Sequence, residues 1–142
     1  RFVAMRFLMK QRDWQSGFLF GTGHGGIEAV IFVVRNAVLS LFTPTTAIAY
    51  NEAYFIGGIE RFFAMLLHIG LTIIVLQGVV RKRLLYVLLA IMIHGIVDAF
   101  VGILPLYVPK DNVLIVLEVT LAVIALAVFY YSLWIKRKGV LQ

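Results

Sequence analysis

The sequence predicts an all-α protein, a polytopic transmembrane bundle with four spanning helices, and three observations carry that expectation. Hydrophobic residues make up 62% of the 142 positions against 14% charged, with a mean hydropathy of +0.98, which leaves too little polar surface to cover a soluble globule. Four apolar stretches, from about Gly17 to Phe42, Tyr54 to Val80, Leu84 to Tyr107 and Val113 to Ile135, each exceed the roughly 20 residues that cross about 30 Å of hydrocarbon as a helix. The basic residues gather at the ends of these stretches instead of spreading over one face. The net charge of +6 therefore reads as a set of topology signals, and a nucleic-acid partner is not expected.

The elements follow in order. Residues 1–16 mix Phe2, Phe7, Leu8 and Trp14 with Arg1, Arg6, Lys10 and Arg12. They lack the uninterrupted apolar core and small-residue cleavage site of a signal peptide, so an interfacial, cytoplasmic segment is expected, in a chain that continues upstream. Residues 17–135 form the four-helix transmembrane domain, and residues 136–142 a basic cytoplasmic tail. The connections are Thr43 to Glu52, the basic turn Arg81-Lys82-Arg83, and Pro109 to Asn112. They are short, so consecutive helices should be antiparallel neighbours. If all four spans cross, every basic cluster falls on one side, which the positive-inside rule assigns to the cytoplasm and which places the Thr43 to Glu52 loop outside. Cysteine is absent, which excludes thiolate ligands and cysteine nucleophiles from this stretch.

Inside the apolar spans all three histidines are matched with three of the seven acidic residues, as His24 with Glu28, Glu60 with His68, and His94 with Asp98. An ionisable group at membrane depth costs about 2.5 kcal/mol or more, so such groups face a protein interior or a wet cavity. At about 1.5 Å of rise per residue, Glu28, His68 and His94 sit near the middle of three consecutive spans. Glu60 lies roughly 12 Å and Asp98 about 6 Å to the outer side of that level, and His24 about 6 Å to the inner side. His24 and Glu28 are about 40° apart around their helix, as are His94 and Asp98, whereas Glu60 and His68 are about 80° apart. Gly17, Gly21 and Gly25, at spacing four, predict a close-approach face on the first span. Gly21-Thr22-Gly23-His24-Gly25-Gly26 is no nucleotide loop, because the strand and βαβ unit such a loop needs are missing. Arg61 is expected as an ion-pair or snorkelling residue, Glu118 at the interface, and Phe62, Phe63, Phe129, Tyr130, Tyr131 and Trp134 in packing and belt positions.

The strings Gly23-His24-Gly25-Gly26-Ile27-Glu28-Ala29, Glu60-Arg61-Phe62-Phe63-Ala64-Met65-Leu66-Leu67-His68 and His94-Gly95-Ile96-Val97-Asp98 resemble the YhfC family of intramembrane proteases, related to the type II CAAX prenyl proteases, the CPBP proteins and PrsW. The resemblance implies helices upstream and a bacterial plasma membrane setting. It also implies an intramembrane endopeptidase acting on a membrane-associated peptide or protein substrate, in contact with the lipid bilayer. The superfamily pattern is a glutamate pair, a histidine, and His-x-x-x-Asn/Asp. His68 occupies the second motif, His94 and Asp98 the third, and the first departs in that Glu28 stands alone.

Peptide hydrolysis needs a base for water, a donor for the oxyanion and an acid for the leaving amine. In a metal-free, glutamic-type reading, which the resemblance favours, Glu28 is the base, His68 and His94 polarise water or the carbonyl, and Asp98 orients His94. Glu60 and His24 are second candidates for the proton traffic, and Glu60 is the alternative base. A second reading makes His24, His68 and His94 ligands to Zn2+, completed by a carboxylate. Two other classes use the same residues, a non-catalytic membrane scaffold of the same fold and a proton-coupled transporter.

Overall fold

The structure, a computed structural model, describes residues 1–42 and 50–141. Five helices follow one another: α1 (Phe2–Phe7), α2 (Trp14–Phe42), α3 (Tyr50–Val80), α4 (Leu84–Ile103) and α5 (Lys110–Arg137), with no strand among the described residues. Among the described residues four stretches are long and apolar enough to span a bilayer: Trp14–Arg35, Phe55–Val80, Leu84–Leu106 and Lys110–Arg137. They match the four expected spans, and the chain is an integral membrane protein whose helices contact lipid. Most of the connection from Thr43 to Glu52 falls outside the described residues.

The helix ends follow from local chemistry. The Asp13 carboxylate accepts the Ser16 backbone N–H at 2.7 Å, capping the start of α2, and that bond holds the carboxyl below its usual range. Helix α4 stops at Ile103, ahead of Pro105, and passes into a single 3-10 turn, Leu104–Leu106, as expected where proline removes a donor and restricts the residue before it. Asp111 in the first turn of α5 and Lys136 and Arg137 in its last both complement the helix dipole. Gly139, at φ 63°, turns the chain beyond α5.

Helix α3 is the centre. It packs against α1, α2, α4 and α5, and from Leu67 to Val79 it is buried almost all round, with Leu71, Ile73 and Leu76 fully enclosed. Lipid is as apolar as leucine, so close packing and interhelical hydrogen bonds hold such a bundle together. The predicted glycine face is that packing. A Cβ on Gly21 would stand 2.7 Å from the Ile69 Cα, and one on Gly17 would stand 2.7 Å from Ile73 Cδ1 and from Leu76 Cδ2. On the other side of α3, a Cβ on Gly70 would meet the backbone of Val128 in α5 at 2.9 Å. Tyr131 donates to Gln77 Oε1 at 3.1 Å, and Trp14 Nε1 donates to the Ser132 carbonyl at 2.9 Å.

These contacts put the start of α2, the Arg81 to Arg83 turn and the end of α5 at one end of the bundle, so the three basic clusters share a side. Lys136 lies 4.2 Å from the centroid of the Trp14 ring at that end. Toward the other end the packing loosens. Helices α2 and α4 make no extended contact with each other, and both rest on α3.

The segment before Trp14 folds onto the bundle. Helix α1 packs against α3, Met5 is fully buried in the core, and Arg1 reaches His68, roughly 18 Å along α3 from its basic end. Its basic residues suggested a surface position, but Arg1 and Met5, one turn apart on one face, go inward.

Candidate functional site

His68 is the hub. It sits on the central helix, is 4% exposed, and lies where the tight core meets the looser half away from the basic end. The glycine seam sets how close α2 comes: a Cβ on Gly25 would stand 3.2 Å from His68 Cβ and Cδ2. That approach brings the neighbouring His24 and Glu28 onto the same ring. His68 Nε2 is 2.8 Å from Glu28 Oε2, and the His24 and His68 rings lie edge to face with centroids 5.6 Å apart. From the opposite side, His94 of α4 stands with its ring centroid 5.2 Å from that of His68. Three helices thus deliver four groups to one place, at the level the helical rise predicts.

Asp98 Oδ2 is 3.1 Å from His94 Nδ1. The separation is that of an ion pair, but the nitrogen has no aligned hydrogen-bond acceptor, so the two groups are close without a formed bond. Asp98 is the more open partner, 68% exposed against 33% for His94.

Glu60 goes elsewhere. It pairs with its neighbour Arg61, whose guanidinium lies over the Phe32 ring at 4.8 Å. The Glu60 carboxylate and Arg61 are also the groups that act electrostatically on Glu118 of α5. The Oε2 of Glu118, expected at the interface, is buried with no hydrogen-bond partner. The spans therefore hold two polar constellations. His24, Glu28, His68 and His94 form one, and Glu60, Arg61 and Glu118 the other, about two turns along α3 away from the basic end.

The donor set of the first constellation suits a metal ion. One ligand atom each from His24, Glu28 and His68 lies within 4.8 Å of the other two. Tetrahedral zinc with bonds near 2.1 Å needs donors about 3.4 Å apart, a spacing that falls within that limit. Two histidines, one carboxylate and an open fourth position are the ligand pattern of catalytic zinc. The zinc set expected from the sequence was His24, His68 and His94 completed by a carboxylate, and Glu28 is the carboxylate that stands in this group. His94 stands beside the group as a neighbour.

The sequence did not single out Arg1. Its Nη2 lies 2.5 Å from His68 Nδ1, and its charge acts on Glu28 and on His24. Arg1, Phe2, Val3, His24, Ala90 and His94 are among the residues lining a cavity of about 500 Å³ that extends toward Val75 and Val87, nearer the basic end. No spacing rule ties residue 1 to residue 68. The one available signal was the shared face of Arg1 and Met5.

A family model described as YhfC intramembrane metalloprotease matches residues 1–52 and 39–120 of this chain. An uncharacterized membrane protein YhfC of Bacillus subtilis (strain 168) is 30% identical over 68% of this chain. The alignment takes in 48% of that protein, so the chain spans about half the length of the curated relative it matches. No solved structure matches.

Proposed function

This chain belongs to the YhfC intramembrane metalloprotease family, and from that premise we propose that it carries the catalytic centre of an intramembrane endopeptidase that hydrolyses peptide bonds of membrane-associated substrates. The observation that carries the reading is the convergence of His24, Glu28 and His68 within 4.8 Å, with His94 at the wall of the adjoining cavity. The spacing and the family's description both favour a metal-assisted reaction over the metal-free one.

In this reading His24, Glu28 and His68 hold a divalent ion, zinc by the chemistry of the set. When bound, such an ion acidifies a water molecule and polarises the scissile carbonyl. The chain's residues do the rest. Glu28 accepts the proton of the attacking water on the oxygen not engaged as a ligand. His94 carries a proton to the leaving amine, its orientation set by Asp98. The apolar walls of the cavity, Phe2, Val3, Val75, Val87, Ala90 and Ile91, accommodate an extended apolar segment and limit water to the amount the reaction consumes. We place the basic end in the cytoplasm of a bacterial plasma membrane, so the cavity approaches the histidines from the cytoplasmic half.

The test uses the full-length protein in proteoliposomes with a quenched-fluorescent single-span peptide. Cleavage is expected from the wild type. It should disappear in Glu28→Gln and His68→Ala, with both variants retaining the elution volume of the wild type. A strong chelator should abolish it and zinc restore it. Activity indifferent to chelation would return the mechanism to the metal-free glutamic type. A cellular role that survives all the substitutions would identify a scaffold.

A further inference from the structure

The contact between Arg1 and His68 conflicts with metal binding at His68. A guanidinium carries five N–H donors and no acceptor. Facing His68 Nδ1 at 2.5 Å, it can only donate, so Nδ1 must offer its lone pair. The ring proton of a neutral imidazole then resides on Nε2, where Glu28 Oε2 waits at 2.8 Å. Guanidinium, imidazole and carboxylate stand in line, with Arg1 against His68 Nδ1 and Glu28 Oε2 2.8 Å from His68 Nε2. A metal ion at Nε2 requires the opposite tautomer, with the proton on Nδ1 and an acceptor facing it, as metal-bound histidines ordinarily have. Arg1 cannot be that acceptor. Its positive charge also acts on Glu28 and His24, the other two members of the group, and opposes a second cation there.

We infer that Arg1 and a divalent metal ion are alternative partners of His68, so that Arg1 is a positioning residue that sets the metal affinity of the site: docked, it holds His68 as a donor to Glu28, and the site loads only when it withdraws. The inference rests on the proposed metal reading. The movement has room, because Arg1 lines the cavity into which it would swing.

The experiment is a Co2+ titration of metal-stripped, full-length protein in detergent, followed by the visible absorption of the ion. Arg1→Ala is expected to bind Co2+ about tenfold more tightly than the wild type. Arg1→Lys, which keeps the charge on a flexible stem without the planar fork, should fall between them. Equal or weaker binding by Arg1→Ala, with Co2+ still binding the wild type, would overturn the inference and leave the metal site standing. No Co2+ absorption in any variant would overturn both. Should Arg1→Ala fail to fold, nitrogen-15 spectra of the stripped wild type, with His68 assigned by difference from His68→Gln, give the tautomer directly. A proton on Nε2 is expected, and a proton on Nδ1 would refute the docked arrangement.

Discussion

The two polar constellations within the membrane differ in how their charges are compensated, and in the proposed function that difference sets the site apart from a structural pair. Around Glu60 the compensation is local. The cation is the next residue in the chain, Arg61, held over Phe32, and the half of α3 that carries them is loosely covered. Around His68 the compensation is assembled from a distance. Arg1, His24, Glu28 and His94 come from α2, from α4 and from the chain just ahead of α1, onto one ring that is 4% exposed. A charge neutralised by its neighbour is satisfied in any fold that keeps the helix. A cluster that exists only when four segments pack is one in which exchanging a partner, for a metal ion or a substrate, leaves the bundle in place.

Substitutions in the two regions should diverge accordingly. Glu28→Gln should lower cleavage by about a hundredfold or more, the usual scale for loss of a general base, while Glu60→Gln should stay within about twofold of wild type in the same assay. A comparable loss in Glu60→Gln would move the base to the outer constellation. Asp98→Asn should cost about tenfold, as expected for a partner that orients a histidine, and the loss should appear in kcat with KM little changed. An unchanged kcat would mean that the 3.1 Å approach has no role in orienting His94.

The packing contrast predicts a smaller effect, read in stability. Gly21→Ala forces a methyl to 2.7 Å from the Ile69 backbone and should destabilise the protein by about 1–3 kcal/mol, the usual range for overpacking. A lower thermal midpoint in detergent is the readout. Gly26→Ala, where nothing lies within 4 Å, should leave the midpoint unchanged or raise it slightly, since alanine is the better helix former by up to about 1 kcal/mol. Equal shifts in the two variants would mean that α2 does not approach α3 along the glycine stripe.

Much of this was legible in the chain. Span length and charge placement gave four helices and a shared basic end. The spacing of Gly17, Gly21 and Gly25 gave the α2 to α3 seam, and helical rise put Glu28, His68 and His94 at one level. These are properties of single helices, which periodicity encodes. The rest depends on rotation and on contacts between distant segments. Glu60 was a candidate because it shares a span with His68, yet it lies two turns away and meets Arg61 first. Glu118 looked interfacial from its depth alone, but the packing of α5 on α3 turns it toward that pair. Arg1 looked like a topology signal, as any basic residue ahead of a span does, and only the docking of α1 on α3 brings it to His68.

The most direct test is the metal content of the purified full-length protein after zinc loading and removal of excess ion, compared across three variants. Wild type and Glu60→Gln should each retain close to one zinc per chain, and Glu28→Gln and His68→Ala should retain close to none. Zinc retained by Glu28→Gln and His68→Ala at the wild-type level, or absent from the wild type, would contradict a metal centre built on His24, Glu28 and His68.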